Sequence, residues 1–295
     1  MASTNDTHTP QLLHHLSDIA HRYDVIFSDI WGVLHDGVEV YPAARNALET
    51  AHKAGKAIIL ITNSPRPSDK VIEQIAALGL PRAAYDGIVT SGDVTRALIA
   101  DAPKKLFHIG PKRDLPLFDG LGAELVDEAQ AQAVACTGLF HEDSEDPENY
   151  RPLLQRLRAR NLPFICANPD IIVHIGRQQL WCAGALARIY TELGGKTLIA
   201  GKPHHPIYEQ AFILAAKKLG LSSPAGINKN RVLVIGDGLG TDIKGAENQK
   251  LDALFIAGGI HINDYSDNGG INPDKLAAFL KTENVSARYF MPELA

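Results

Sequence analysis

Cysteine is scarce: the 295-residue chain holds three, Cys136, Cys166 and Cys182, an odd number at irregular spacing with no CxxC pair. Neither a disulfide framework nor a zinc site follows from such a set, and the three read as small core residues. No block of lysine and arginine occurs and the formal charge is only −5, so nothing marks a surface for nucleic acid or for an anionic membrane. A long apolar run is also missing, and Met1 to Gln11 lacks the basic flank and apolar stretch of a secretion signal. The expectation is a cytoplasmic protein with no membrane segment. No repeat or low-complexity stretch is present. With 45% hydrophobic and 21% charged residues, the composition is ordinary for a globular chain, and small soluble molecules are the expected partners.

What is present is alternation. Short apolar runs and helical patterns succeed one another throughout, which predicts an α/β fold with a parallel sheet. The length suits a core with one sizeable insertion. Strands are expected at Tyr23 to Ser28, Ala57 to Ile61 and Gly87 to Thr90, with helices from Pro42 to Ala54, from Ser68 to Leu78, and from Gly92 to Ala100 behind a Ser91 cap. Near Pro103 the pattern restarts with Leu106-Phe107-His108-Ile109 and a strand at Ala133 to Thr137. A helix from Asp146-Pro147 to Arg160 follows, then a strand at Pro163 to Cys166. Ile171 to Ile175 and Gln178 to Trp181 read as a hairpin around Gly176-Arg177. The main pattern resumes at Leu198-Ile199-Ala200, with a helix over Ile207 to Leu219 and strands at Arg231 to Ile235 and Ala253 to Ala257.

Four strand ends carry polar residues: Asp29, Thr62-Asn63, Lys202 and Asp237. Open parallel sheets bind ligands beyond the carboxyl ends of their strands. The set offers carboxylates for a hard cation, donors for phosphoryl oxygens and a cation to offset developing charge. Asp242, five residues after Asp237, returns toward the same place as the next helix begins. Singly, each residue reads as a cap, a turn or a solvated charge; the combination points to phosphoryl chemistry. A dinucleotide loop at Gly236-Asp237-Gly238-Leu239-Gly240 is the rival. Thr241 stands where its third glycine belongs, and Asp237 would repel a pyrophosphate.

In chain order and strand context this set resembles the haloacid-dehalogenase-like (HAD) hydrolase superfamily, and the likeness narrows to its NagD-like and pyridoxal-phosphatase-like branch. It rests on Asp29-Ile30-Trp31-Gly32-Val33-Leu34 with Gly37 and Pro42, Ile61-Thr62-Asn63-Ser64, Thr90-Ser91-Gly92, Ala167-Asn168-Pro169-Asp170, Ala200-Gly201-Lys202-Pro203, and Gly236-Asp237 through Thr241-Asp242-Ile243. The resemblance implies a Rossmann-like parallel-sheet core, residues 23–102 and 198–295, with an inserted α/β cap domain, residues 103–197, behind an N-terminal extension of residues 1–22. It implies a Mg²⁺-dependent phosphatase or phosphotransferase acting on a small phosphorylated metabolite, with a homodimer as an open assembly.

By the same resemblance Asp29 is the nucleophile that forms an aspartyl-phosphate and a Mg²⁺ ligand, alongside the Trp31 backbone carbonyl and Asp237. Asp242 supports that shell. Thr62 and the Asn63 backbone hold the phosphoryl group, and Lys202 pairs with both the phosphate and Asp29. Trp31 falls where the family carries its general-acid Asp. That departure predicts slow or altered hydrolysis, with a weakly catalytic phosphometabolite-binding or regulatory protein as the alternative. His35 and Asp36, close by, read as hinge and turn residues. In the cap, Asp170, His174 and Arg177 are the candidates for selecting substrate.

Overall fold

Val25-Ile26-Phe27 and Val232-Leu233-Val234-Ile235 are continuous apolar runs, the pattern of parallel strands covered on both faces. Every one of these residues is buried. The computed structural model describes residues 9–175, 178–259, 261–267 and 270–295. Its elements begin with β1 (Gln11–Leu12), α1 (Ser17–Ala20), β2 (Val25–Ser28), α2 (Pro42–Lys53), β3 (Ala57–Thr62), α3 (Ser68–Ala77), β4 (Gly87–Thr90) and α4 (Ser91–Ala100). Next are β5 (Lys105–Ile109), β6 (Glu124–Leu125), β7 (Ala133–Cys136), α5 (Arg151–Ala159), β8 (Phe164–Cys166), β9 (Ile172–Ile175), β10 (Gln178–Trp181), α6 (Ala183–Glu192) and β11 (Thr197–Ile199). The remainder holds α7 (His205–Lys218), β12 (Val232–Gly236), α8 (Lys244–Gln249), β13 (Asp252–Ile256), α9 (Ile262–Tyr265), β14 (Ser266–Asp267), β15 (Gly270–Ile271), α10 (Pro273–Thr282) and β16 (Tyr289–Met291).

The fold is α/β, a Rossmann-like parallel sheet with an inserted region that carries a sheet of its own. In the larger sheet the order is β1-β16-β13-β12-β2-β3-β4. The pairs β1/β16, β16/β13, β13/β12, β12/β2 and β2/β3 are all parallel. The order β11-β8-β7-β5-β6 makes a second sheet, also parallel. Two compact units result. One comprises the described residues of Met1–Ile61 with Ala76–Ile88 and Ala211–Ala295, the other Thr62–Ile75 with Val89–Gln210.

Helix signals locate the layers. Pro42 opens α2 at a position whose N–H is not needed, and Ala44, Leu48 and Ala51 form its buried stripe. Gly55 (φ +82°) follows its end, a left-handed step that a glycine takes without strain. In the second unit, Leu154 and Leu157 of α5 and Leu186, Ile189 and Tyr190 of α6 pack on Val134, Cys136, Phe164 and Cys166. The opposite face of that sheet, Leu106, Ala133, Ala135 and Ile165, is covered by Ile99 of α4 and by Leu117 and Phe118. All three cysteines are buried and free.

Two local expectations are corrected. Thr90, not Ser91, caps α4: it is extended, and its hydroxyl accepts from Asp93 N. The helix expected from Asp146 to Arg160 divides into a tight 3₁₀ turn over Pro147–Tyr150, capped by Asp146, and α5 proper. Pro152 sits in the first turn of α5, where proline is tolerated, so the α-helix begins there rather than running through from Pro147.

Candidate active site

The acidic group belongs to the first unit. β2 and β12 run parallel with Ser28 opposite Ile235, so the residues after each leave the sheet at the same edge. Asp29 N donates to Ile235 O at 2.8 Å, which carries the pairing one residue past β2. Carboxylate oxygens of Asp29, Asp237 and Asp242 all lie within 4.8 Å of one another. Asp29 is 8% exposed and Asp242 only 1%.

Glycine makes room for this convergence at two points. At Gly32 (φ +79°) a Cβ would fall 2.1 Å from Asp237 Oδ2, and at Gly236 it would fall 2.1 Å from Asp242 Cγ. A single π-helical turn over Leu239–Ile243 brings Asp242 back to the strand end, a kind of insertion common where function demands an unusual reach. Asp242 N donates to Gly238 O at 2.9 Å, and Asp242 Oδ2 accepts from Gly238 N at 3.1 Å. Three carboxylates held this close repel one another unless a cation or proton intervenes. An all-oxygen donor set of this charge fits a hard divalent cation such as Mg²⁺.

The acidic group also corrects the reading of Trp31. That reading defined the chain by a tryptophan in place of a carboxylate, within a narrower branch of the superfamily. It is Asp29, not position 31, that meets Asp237 and Asp242 in the carboxylate cluster. The cause is local. β2 ends at Ser28 and the chain turns at Gly32, so residues 29 and 31 do not keep the same-face relation of a continuous strand. The indole instead packs edge-on against His35, with ring centroids 4.9 Å apart.

His35 is buried, and that burial pushes its pKa down to about 4. Its Nδ1 accepts from Gly37 N at 2.9 Å, which assigns the proton of the neutral ring to Nε2. Asp36 Oδ1 accepts from Val38 N and Glu39 N, an Asx turn, and these N–H groups hold its carboxyl below the usual range. Both are thus engaged in the loop's own structure.

The polar residues expected to hold a phosphoryl group lie in the second unit. Thr62 ends β3 and is 7% exposed; its Oγ1 accepts from Ser64 N at 3.2 Å. Asn63 and Lys202 are buried and meet through two bonds. Lys202 N donates to Asn63 Oδ1 at 2.7 Å, and Asn63 Nδ2 donates to Lys202 O at 3.3 Å. The same amide nitrogen donates to Asp170 Oδ1 at 2.8 Å. This use of the Asn63 side chain was not foreseen, since only its backbone was expected to matter. The one available signal was Gly201, where a Cβ would fall 2.6 Å from Asn63 Oδ1. His174 is placed by its backbone on β9, paired with Gln179, whereas Arg177 lies outside the described residues.

Comparison with known proteins follows the same lines. Residues 26–124 match the haloacid dehalogenase-like hydrolase family, and residues 199–282 match a HAD-hydrolase-like family. A crystal structure of a hydrolase of the haloacid dehalogenase-like family from Brucella suis 1330 is 50% identical, with a TM-score of 0.86 over 96% of this chain and 100% of that one. Phosphoglycolate phosphatase 2 of Arabidopsis thaliana is 25% identical across 85% of this chain and 89% of its own. The 5'-nucleotidase YutF of Bacillus subtilis is 25% identical across 79% and 86%. No described helix is long and apolar enough to cross a membrane.

Proposed function

The chain belongs to the haloacid dehalogenase-like hydrolases, and from that membership we propose that it is a Mg²⁺-dependent phosphatase of a small phosphorylated metabolite. The observation that carries this reading is the convergence of Asp29, Asp237 and Asp242 at one sheet edge. Asp29 and Asp237 would hold the ion, with Asp242 supporting them. Bound there, Mg²⁺ would offset the carboxylate charge and the charge developing on the phosphoryl oxygens.

Asp29 then has the nucleophile's part: a carboxylate oxygen attacks phosphorus, the ester oxygen departs, and water releases phosphate from the aspartyl-phosphate to restore the carboxylate. Thr62 and the Asn63 N–H hold the phosphoryl oxygens, and Lys202 supplies a positive charge to them. Catalysis of this kind is mainly positioning and electrostatics. In this reading residues 103–197 are the inserted cap domain and residues 23–102 and 198–295 the catalytic core, with Asp170, His174 and Arg177 as the candidates for selecting substrate. A cytoplasmic setting and a homodimer belong to the same proposal. The relatives' names support a phosphomonoester of modest size, since one is a phosphatase of phosphoglycolate and another a 5'-nucleotidase.

The test is a panel of phosphorylated metabolites with Mg²⁺, including 2-phosphoglycolate, nucleoside 5'-monophosphates, sugar phosphates and p-nitrophenyl phosphate. Asp29→Asn should lower turnover of the preferred substrate by about 10³-fold or more, as expected when a nucleophile is removed, and leave the fold intact. Turnover that survives in contaminant-free Asp29→Asn protein excludes the aspartyl-phosphate route.

A further inference from the structure

We propose that Asp170 is a positioning residue: its carboxylate orients the Asn63 amide, and the amide holds the Lys202 peptide in place. An asparagine amide can turn over and exchange its oxygen and nitrogen, and only its partners decide which way it faces. Here the partners leave one answer. The Lys202 N–H is a donor and demands the amide oxygen, which it reaches at 2.7 Å. The Asp170 carboxylate is an acceptor and demands the amide nitrogen, 2.8 Å away. The second N–H of the same nitrogen reaches Lys202 O at 3.3 Å. Asn63 thus grips both backbone polar groups of Lys202, and Asp170 sets the sense of the grip.

The surroundings are tightly built. Asn63 is 2% exposed and Lys202 3%, so an amide turned the wrong way would set its NH₂ against the Lys202 N–H with no water to relieve it, a costly arrangement in a buried site. Asp170 is itself anchored. Its N–H donates to Asn168 Oδ1 at 3.1 Å, and its carbonyl accepts from Gly184 N at 3.1 Å. At Gly184 a Cβ would fall 2.4 Å from Asp170 O, so the segment lies directly on the first turn of α6. Three stretches far apart in sequence, around residues 63, 170 and 202, are therefore locked through one amide.

The consequence rests on the phosphatase reading, in which Thr62, the Asn63 N–H and Lys202 contact the phosphoryl group. If Asp170 acts through Asn63, its removal weakens binding of the phosphoryl group itself, whatever the substrate body. If Asp170 instead touches the body, inorganic phosphate is indifferent to it.

The experiment is calorimetric titration of inorganic phosphate in Mg²⁺ into wild-type protein, Asp170→Ala and Asp170→Asn, alongside kcat and KM for p-nitrophenyl phosphate. Asp170→Ala should weaken phosphate binding about tenfold, the scale of one lost hydrogen bond to a charged group. Asp170→Asn retains an acceptor oxygen and should stay within about threefold of wild type. Should Asp170→Ala fail to fold, Asp170→Ser makes the same comparison, because its hydroxyl is too short to reach the amide. Unchanged phosphate affinity in folded Asp170→Ala overturns the proposal, as does an Asp170→Asn variant impaired as deeply as Asp170→Ala. Turnover persisting in Asp29→Asn would refute the aspartyl-phosphate reading without bearing on these titrations, so the two failures are distinguishable.

Discussion

Asp114 shows what a single residue contributes when burial outruns its partners. It is 1% exposed, and the Thr137 hydroxyl beside it only partly offsets that burial. Burial pushes its pKa up to about 6, with the nearby Arg113 guanidinium opposing. The folded state therefore holds this proton more tightly than the unfolded chain. The resulting stability is whole below the ordinary value of 3.8 and is lost as pH rises through about 6. Asp114→Asn should raise the stability measured by urea denaturation near neutral pH by on the order of 2–3 kcal/mol, with the gain vanishing near pH 4. A loss at neutral pH would contradict this. His108 works the other way: burial pushes its pKa down to about 4 from an ordinary 6.5. The unfolded chain takes up that proton first, so stability falls as pH drops across this window. The two windows overlap and offset each other in the native protein. Asp114→Asn should therefore lose stability more steeply than wild type between those limits.

At the scale of an element, α4 illustrates how two adjacent hydroxyls divide their work. Thr90 and Ser91 both suit a helix cap by residue type, yet only Thr90, the last residue of β4, has the extended backbone a cap requires (φ −109°, ψ 153°). Its Oγ1 accepts from Asp93 N at 2.9 Å. The Ser91 hydroxyl is buried and, among the described residues, makes no hydrogen bond. Thr90→Ala should destabilise the protein by about 1 kcal/mol. Ser91→Ala should change stability by less than about 0.5 kcal/mol. Urea denaturation of the pair decides the matter, and the reverse ranking would return the cap to Ser91.

For the whole molecule, the acidic group ties metal binding to stability. Asp29 lies about two hundred residues from Asp237 and Asp242 in the sequence and meets them only in the folded first unit, so a cation they share binds the native state and not the unfolded chain. Linkage then stabilises by about 2.7 kcal/mol when the ion is at a hundred times its dissociation constant. Calorimetric melting in millimolar Mg²⁺ should show a higher Tm than in excess chelator, and Asp237→Asn should lose most of that difference. A shift of equal size in Asp237→Asn would place the ion elsewhere.

The sequence by itself determined which stretches become strands and which polar residues follow them. Continuous runs such as Val25-Ile26-Phe27 and Ile58-Ile59-Leu60-Ile61 have the pattern of parallel strands buried on both faces, and Asp29, Thr62 and Asp237 are legible as strand-end residues because the apolar period stops beside them. Apolar periodicity is a local property, read without knowing any neighbour. Which strands become neighbours is not local. The placement of β12 between β2 and β13, and of β1 at the sheet's edge beside β16, depends on packing between distant segments. β1, two exposed residues long, carries no periodic signal at all. The same holds within the site. The approach of Asp242 depends on one π-helical turn, the place of Trp31 on the bend at Gly32, and the bond from Asn63 to Asp170 spans 107 residues. Such contacts are chosen by close packing and by the need to pair buried polar groups, conditions that exist only once the tertiary structure has formed.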